Sequence, residues 1–292
     1  MDKRNIIYLF LKNGVMLSPE EAEAIDETNY MQLLEKKLSE NKGEAAVVSE
    51  PKRGRISCEE YIKTCGKNFE FLRDVLLRKT DAVSINKGKK IFSKVTIIGR
   101  ARETRGNGFV VEDVTGETEV VGENNDVKAM DILGLRGSFK ENRFHSEQVI
   151  WPDIPLENNP PPLSMKITLT TKIKDDMNGA IIIPGREKSE NIISGFGRIG
   201  AIRITKYGRE TVVLAYSPDN QINEDESVKI LKKRIIPEEG VVNNIIKEIP
   251  NIFWLFNNAR NWTSNYRGVV VVSTDKESFA ECEKDEVVFG SL

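Results

Sequence analysis

KVTIIGRARETRGNGFVVEDVTGETEVVGENNDVKAMDILGLRGSFKENRFHSEQVI, residues 94–150, is the stretch on which the fold turns. Apolar residues recur there at every second position, the period of a half-buried strand. The stretch divides into strands at 94–100 (KVTIIGR), 108–114 (GFVVEDV), 117–121, 131–139 (DILGLRGSF) and 143–150. Arg105-Gly106-Asn107-Gly108, Thr115-Gly116 and Lys140-Glu141-Asn142 supply turn chemistry between them. Short antiparallel strands in this order, with Gly99 near the middle of the first, predict a small Greek-key barrel of the oligonucleotide/oligosaccharide-binding (OB) kind over 91–155.

Upstream, the period is helical. Residues 57–79 place Tyr61, Ile62, Cys65, Phe69, Leu72, Leu76 and Leu77 on one face, with Ser57 and Glu60 as a capping box. Residues 57–90 are therefore expected to form a helix leading into the barrel. Residues 1–40 read as a small helical unit, with Ser18-Pro19-Glu20-Glu21 as a helix start. Residues 41–56 are polar and carry Lys52-Arg53-Gly54-Arg55, which predicts a flexible linker. Downstream, Pro152, Pro155 and Pro160-Pro161-Pro162 mark a boundary. Residues 163–292 then alternate strand-like runs, such as 249–256 and 268–273 (GVVVVS), with helical spacing at 227–236, an α/β layout.

Composition narrows the chemistry. The chain has 292 residues, 43 basic and 45 acidic, a net charge of −2 and a single histidine, His145. The balance argues against a general nucleic-acid binder, which needs a large basic excess, while leaving room for a local basic face. One imidazole is too few for a metallo-phosphoesterase, whose metals are held by several. Cys58, Cys65 and Cys282 form no metal-ligand or disulfide pattern and read as reduced thiols. No apolar run approaches the roughly 18 residues of a membrane span, and no signal peptide is evident, so a cytoplasmic protein without membrane contact is expected.

The stretches 94–100 (KVTIIGR), 111–121 (VEDVTGETEVV) and 134–155 (GLRGSFKENRFHSEQVIWPDIP), with Pro161-Pro162-Leu163 following, resemble the small subunits of archaeal family-D DNA polymerases. They are more distantly similar to the B-subunits of eukaryotic replicative polymerases. The resemblance spans about residues 57–292 and is strongest in the barrel. It implies a second domain of the calcineurin-like phosphoesterase type, reduced here, so that the expected class is α+β to α/β. In active archaeal members that domain holds two metals at short motifs on strand ends. At the matching positions this chain has Thr171 and Ile173 for an Asp-x-His pair and Arg186, Glu187 and Lys188 for an Asn-His-Asp run. Tyr216 stands for a further histidine, and Asn258 and Arg260 for the last pair. Thr, Arg, Lys and Asn remove the negative charge that a pair of divalent cations requires, and Arg186 and Lys188 add charge of the wrong sign. The resemblance thus implies an inactivated paralogue: no enzyme, no cofactor and no metal.

The leading expectation is a non-catalytic accessory subunit that binds a DNA polymerase catalytic subunit or another replisome protein, touching DNA indirectly if at all. Trp254, Trp262, Tyr266 and Arg267 are the candidate partner surface, being residue types enriched at interfaces. The alternative is a single-stranded DNA-binding module in which Arg100, Arg102, Arg136 and Arg143 meet phosphate and neighbouring aromatics stack bases. A residual phosphodiesterase is the third reading. Two further signals are set aside. Gly195-Phe196-Gly197-Arg198-Ile199-Gly200 matches G-x-G-x-x-G but leads into a strand-like run, where a dinucleotide motif must open a helix. The basic helical face Lys229, Lys232, Lys233 and Arg234 reads as solvated.

Overall fold

The computed structural model describes residues 3, 6–7, 25, 29–33, 44–49, 57–105, 108–122, 126–156, 166–174, 177, 179–185, 192–194, 196–206, 209–237, 245–283 and 286–292. The helical unit expected over 1–40 lies mostly outside them.

The barrel is built from β3 (Val95–Arg105), β4 (Gly108–Asp113), β5 (Gly116–Val121), β6 (Ile132–Lys140) and β7 (Arg143–Ile150). Their order around the sheet is β3-β4-β5-β7-β6, and β6 pairs back onto β3 to close it. The β5–β7 pairing is parallel and the others are antiparallel. A closed five-stranded Greek-key barrel is the architecture of an OB-fold. Alternation puts Ile97, Ala101, Phe109, Val111, Val120, Leu133, Leu135 and Phe144 in the core. Gly99 allows the tight bend of β3, since a Cβ there would sit 2.5 Å from the Val111 side chain and 2.7 Å from the Glu112 carbonyl oxygen. Outside the barrel, β2 (Ala82–Val83) extends the sheet in parallel beside β3, and helix α2 (Ile85–Gly88) follows it. Helix α1 (Cys58–Leu77) starts at Ser57, whose hydroxyl accepts from Glu60 N at 3.1 Å. Its second half docks on the barrel through Leu72 and Leu76 against Ile98 and Ile132.

The C-terminal unit is a sandwich of two sheets. One runs β1-β11-β12-β13-β15-β14, from β1 (Glu44–Ser49), β11 (Ile199–Lys206), β12 (Arg209–Tyr216), β13 (Ile252–Leu255), β14 (Trp262–Tyr266) and β15 (Val269–Ser273). The other runs β10-β9-β8-β16-β17, from β8 (Ile167–Leu169), β9 (Ala180–Ile182), β10 (Ile192–Ile193), β16 (Ser278–Glu283) and β17 (Glu286–Ser291). The core between them contains Leu169, Ile182, Phe196, Ile204, Trp254, Phe256 and Cys282. On the far face of the first sheet, Leu214, Phe253, Leu255 and Val271 pack against Ile230 and Leu231 of helix α3 (Glu224–Lys233) and against Ile154.

Three expectations change. The unit is mostly β, with α3 its named helix among the described residues. Runs such as Ile252–Leu255 are buried on both faces, which reads the same whether helices or a second sheet supply the cover. Residues 44–49 form a strand paired antiparallel with β11, where a linker was expected; an edge strand needs only backbone partners, and Ala45-Ala46-Val47-Val48 supplies a β-compatible core to an otherwise polar stretch. The basic face of α3 is docked, as described below. The G-x-G-x-x-G segment does lead into a strand, β11, and Gly200 is overlaid by the Phe196 ring.

Candidate functional site

The barrel's outward arginines are mostly neutralised within the barrel. Cross-strand register sets Arg100 opposite Glu112, and its Nε donates to Glu112 Oε1 at 3.0 Å. Arg102 pairs with Glu117 at 2.8 Å and Arg143 with Glu119 at 3.0 Å. Arg136 is exposed on β6 and makes no ion pair among the described residues. Phe109 and Phe144 point into the core, and Phe139 stacks edge-on against Phe144 at 5.0 Å between centroids. Of the four candidate phosphate contacts, three are thus matched by glutamates.

Backbone hydrogen bonds join several strand ends of the sandwich. Residues 196–198 bridge two of them: Gly185 N donates to Phe196 O at 2.8 Å, and Ser217 N to Arg198 O at 2.7 Å. Further backbone bonds carry the row on, from Phe256 N to Tyr216 O at 3.0 Å and from Asn258 N to Thr274 O at 3.0 Å. The end of β9, reached through Gly185, and the ends of β12, β13 and β15 therefore share one edge, with Thr170 N joined to Ile182 O beside them.

Several polar side chains on this edge are bonded to the protein itself. Asn258 is buried; its Oδ1 accepts from Ile222 N at 3.1 Å, and its Nδ2 donates to Ile222 O at 2.7 Å and Ser273 Oγ at 2.9 Å. Ser273 Oγ in turn donates to Arg260 O at 2.7 Å, while the Arg260 side chain is exposed. Tyr216 is buried and its hydroxyl donates to Pro237 O at 2.9 Å. Thr170 Oγ1 donates to Lys172 O at 2.5 Å; Thr171 is half-buried and Ile173 exposed. Arg186, Glu187 and Lys188 lie outside the described residues. Arg198 reaches into the row, holding Ser217 O with Nη2 at 3.0 Å and Asp219 at 2.6 Å. Among the described residues no three or more His, Cys, Asp or Glu side chains are grouped to hold a metal. The amide of Asn258 and the hydroxyls of Thr170, Tyr216 and Ser273 are thus committed to neighbouring oxygens, and the one carboxylate named on this edge, Asp219, is paired with Arg198.

A second polar centre was missed by sequence reasoning. Asp153, in the crossing between barrel and sandwich, adopts φ +48°. Its Oδ1 accepts from Tyr266 Oη at 3.0 Å, and its Oδ2 pairs with Arg267 Nη2 at 3.0 Å. Its carbonyl accepts from Arg234 Nε at 3.0 Å and from Lys79 Nζ at 3.2 Å, so α1, α3 and the β14–β15 hairpin meet on one residue. Burial, with the bond to Asp153, pushes the Tyr266 phenol up to about 12. Burial also lowers the pKa of Lys79 and Arg234. Next to this centre the α3 lysines reach the barrel: Lys229 pairs with Asp126 at 2.6 Å, Lys233 with Asp131 at 2.5 Å, and Lys233 lies over the Trp151 ring at 4.8 Å.

The aromatic cluster is consequently internal. Trp254 is fully buried, with Nε1 donating to Thr274 Oγ1 at 2.9 Å, and cannot serve as a partner surface. Its place on β13, buried on both faces, explains why. Trp262 and Tyr266 pack on the rim of the α3-side core, and Arg267 is held by Asp153 and by Ile154 O. The signal that could have found this centre is Asp153 itself, an acid between prolines and ahead of a basic helix.

No helix among the described residues is long and apolar enough to cross a membrane. No family model matches the sequence. No curated protein matches it. Among solved structures, the hypothetical protein YgiW from E. coli is similar over 24% of this chain and 89% of its own, at 17% identity and a TM-score of 0.22. Telomere capping protein Ten1 from Saccharomyces pombe is similar over 24% and 78%, at 10% identity and a TM-score of 0.22. Likeness at that level carries no argument about function.

Proposed function

We propose that the chain is a non-catalytic accessory subunit, scaffolding a replicative DNA polymerase or another replisome component through protein–protein contacts. On this reading the C-terminal sandwich is a phosphoesterase-type domain whose metal ligands have been replaced. The observation that carries it is the strand-end edge. Of the positions that the resemblance matches to ligands, Tyr216 and Asn258 are buried and bonded to the chain's own backbone, and Thr171 and Ile173 are uncharged. A site that has lost its chemistry while its architecture is retained is expected where the fold serves as a surface. The Asp153 centre supports the same reading, since it makes barrel and sandwich one composite body for a partner to dock on. The polymerase as partner rests on the sequence resemblance. Affinity purification of the tagged full chain from its source cells tests it. Recovery of a polymerase subunit or replication factor in stoichiometric amount is expected, and recovery of the chain without either overturns the proposal.

A further inference from the structure

We infer that the barrel carries a single-stranded nucleic-acid site on the ledge between α2 and β3, with Phe92 as its stacking platform and Lys87, Lys90, Arg136 and Lys140 as its phosphate contacts. This goes beyond a scaffolding role and centres on a residue outside the paired arginines of β3 and β7.

Phe92 is fully exposed, the most exposed of the large apolar side chains of the described residues. Such a ring is left in water at a cost unless something covers it. Its surroundings say what. Lys87 and Lys90 precede it in sequence, are exposed, and make no ion pair among the described residues. Gly88 lies against the Phe139 ring, 2.8 Å from where its Cβ would be, which sets the loop beside β6. The chain leaving Phe92 then runs antiparallel along β6, with Val95 opposite Gly137 and Thr96 opposite Arg136. Arg136 and Lys140 are exposed on that strand, again without ion pairs among the described residues. The acids close by are Glu147, already paired with Lys94 at 2.7 Å, and Glu141 in the β6–β7 turn. The barrel's cations thus divide in two. Arg100, Arg102, Arg143 and Lys94 are held by glutamates, while Lys87, Lys90, Arg136 and Lys140, on the segment that carries Phe92 and on the strand beside it, make no ion pair among the described residues.

An exposed aromatic face with exposed cations along the same ledge is the chemistry of a sequence-tolerant single-strand contact: the ring stacks a base and the cations follow the backbone. An anionic bilayer would meet the same charges, but a peripheral anchor needs a continuous apolar face and the ledge offers a single ring.

The test uses the purified full chain and a labelled oligothymidylate of about 20 nucleotides, read by fluorescence anisotropy. Binding at low salt that weakens steeply as salt rises is expected. Phe92→Ala should weaken it about tenfold, and Phe92→Trp should retain it. Joint Lys87→Glu and Lys90→Glu replacement should weaken binding and flatten its salt dependence, whereas Arg102→Ala should leave affinity unchanged. All these positions are exposed, so the variants should keep the wild-type circular dichroism. No binding at low salt, equal affinity of Phe92→Ala and wild type, or binding to phosphatidylserine vesicles in place of the oligonucleotide would each overturn the proposal. The assay contains no partner protein, so its failure leaves the accessory-subunit reading to its own experiment.

Discussion

Lys233 Nζ lies 2.5 Å from Asp131 Oδ2, joining helix α3 of the sandwich to the entry of barrel strand β6, with both side chains almost wholly out of solvent. Asp131 also accepts from Lys128 N at 2.8 Å. Burial raises the Asp131 carboxyl above its ordinary 3.8, and the Lys233 bond pulls the other way without cancelling it. Desolvation outweighs the pair's attraction, as is common for buried ion pairs.

Two outcomes follow for this pair. Lys233→Met strands a buried carboxylate and should destabilise by about 3–5 kcal/mol, with much of the loss recovered in the Asp131→Asn, Lys233→Met double variant. The folded chain holds the Asp131 proton more tightly than the unfolded one does. Its contribution to stability is therefore fully present below the unfolded value and is lost as pH rises through the folded one. Urea titrations at a series of pH values should show wild type losing stability relative to Asp131→Asn as pH climbs from 3.8.

Two glycines predict opposite signs for the same substitution. A Cβ on Gly137 would sit 2.0 Å from the His145 carbonyl oxygen, at the point where the β6–β7 register shifts. Neither strand can yield without opening the barrel, so Gly137→Ala should cost about 3 kcal/mol or more. Gly66 lies in the exposed first half of α1 with nothing within 4 Å of its Cβ position. Gly66→Ala should stabilise by about 0.5–1 kcal/mol through helix propensity. Thermal melts of the two variants check both signs.

Asp153→Asn separates charge from backbone preference, because Asn tolerates the left-handed φ that Asp153 adopts. It removes the carboxylate that accepts from Tyr266 and pairs with Arg267. The phenol is held at about 12 by burial first and by that bond second. In the variant one tyrosine should ionise at lower pH than in wild type, seen as an earlier rise in tyrosinate absorbance on alkaline titration. Loss of charge-assisted bonds should also destabilise by about 1.5–3 kcal/mol.

The barrel was legible because its strands alternate. Phe109, Val111 and Val120 inside against Glu112, Glu117 and Glu119 outside leave one register that buries the apolar set. The sandwich was less so. A run such as IFWL at 252–255 states that both faces are covered and does not say by what. The α3 lysines read as solvated because their partners, Asp126 and Asp131, lie about a hundred residues away, and only the closed fold brings them together. For the same reason Trp254 read as an interface residue. Composition marks aromatic clusters, and whether a cluster faces a partner or another sheet is a tertiary fact. The strand-end positions were named from the resemblance alone, and bonds such as Asn258 to Ile222 were not legible from spacing.

Asn258 distinguishes a retired site from a working one. It is 6% exposed and spans the β13 end, the loop at Ile222 and the β15 end through three hydrogen bonds. Asn258→Ala leaves the Ile222 amide and carbonyl without side-chain partners, each buried polar group so stranded costing about 1–3 kcal/mol. A loss of about 3 kcal/mol is therefore expected in chemical denaturation. Asn258→Asp keeps the acceptor to Ile222 N and restores a carboxylate, but it replaces the donor facing Ile222 O with a second acceptor. It should destabilise too, and divalent manganese should not recover it. If manganese instead raises the melting temperature of wild type or of Asn258→Asp in a saturable way, the edge still holds a cation and the retired-site reading fails.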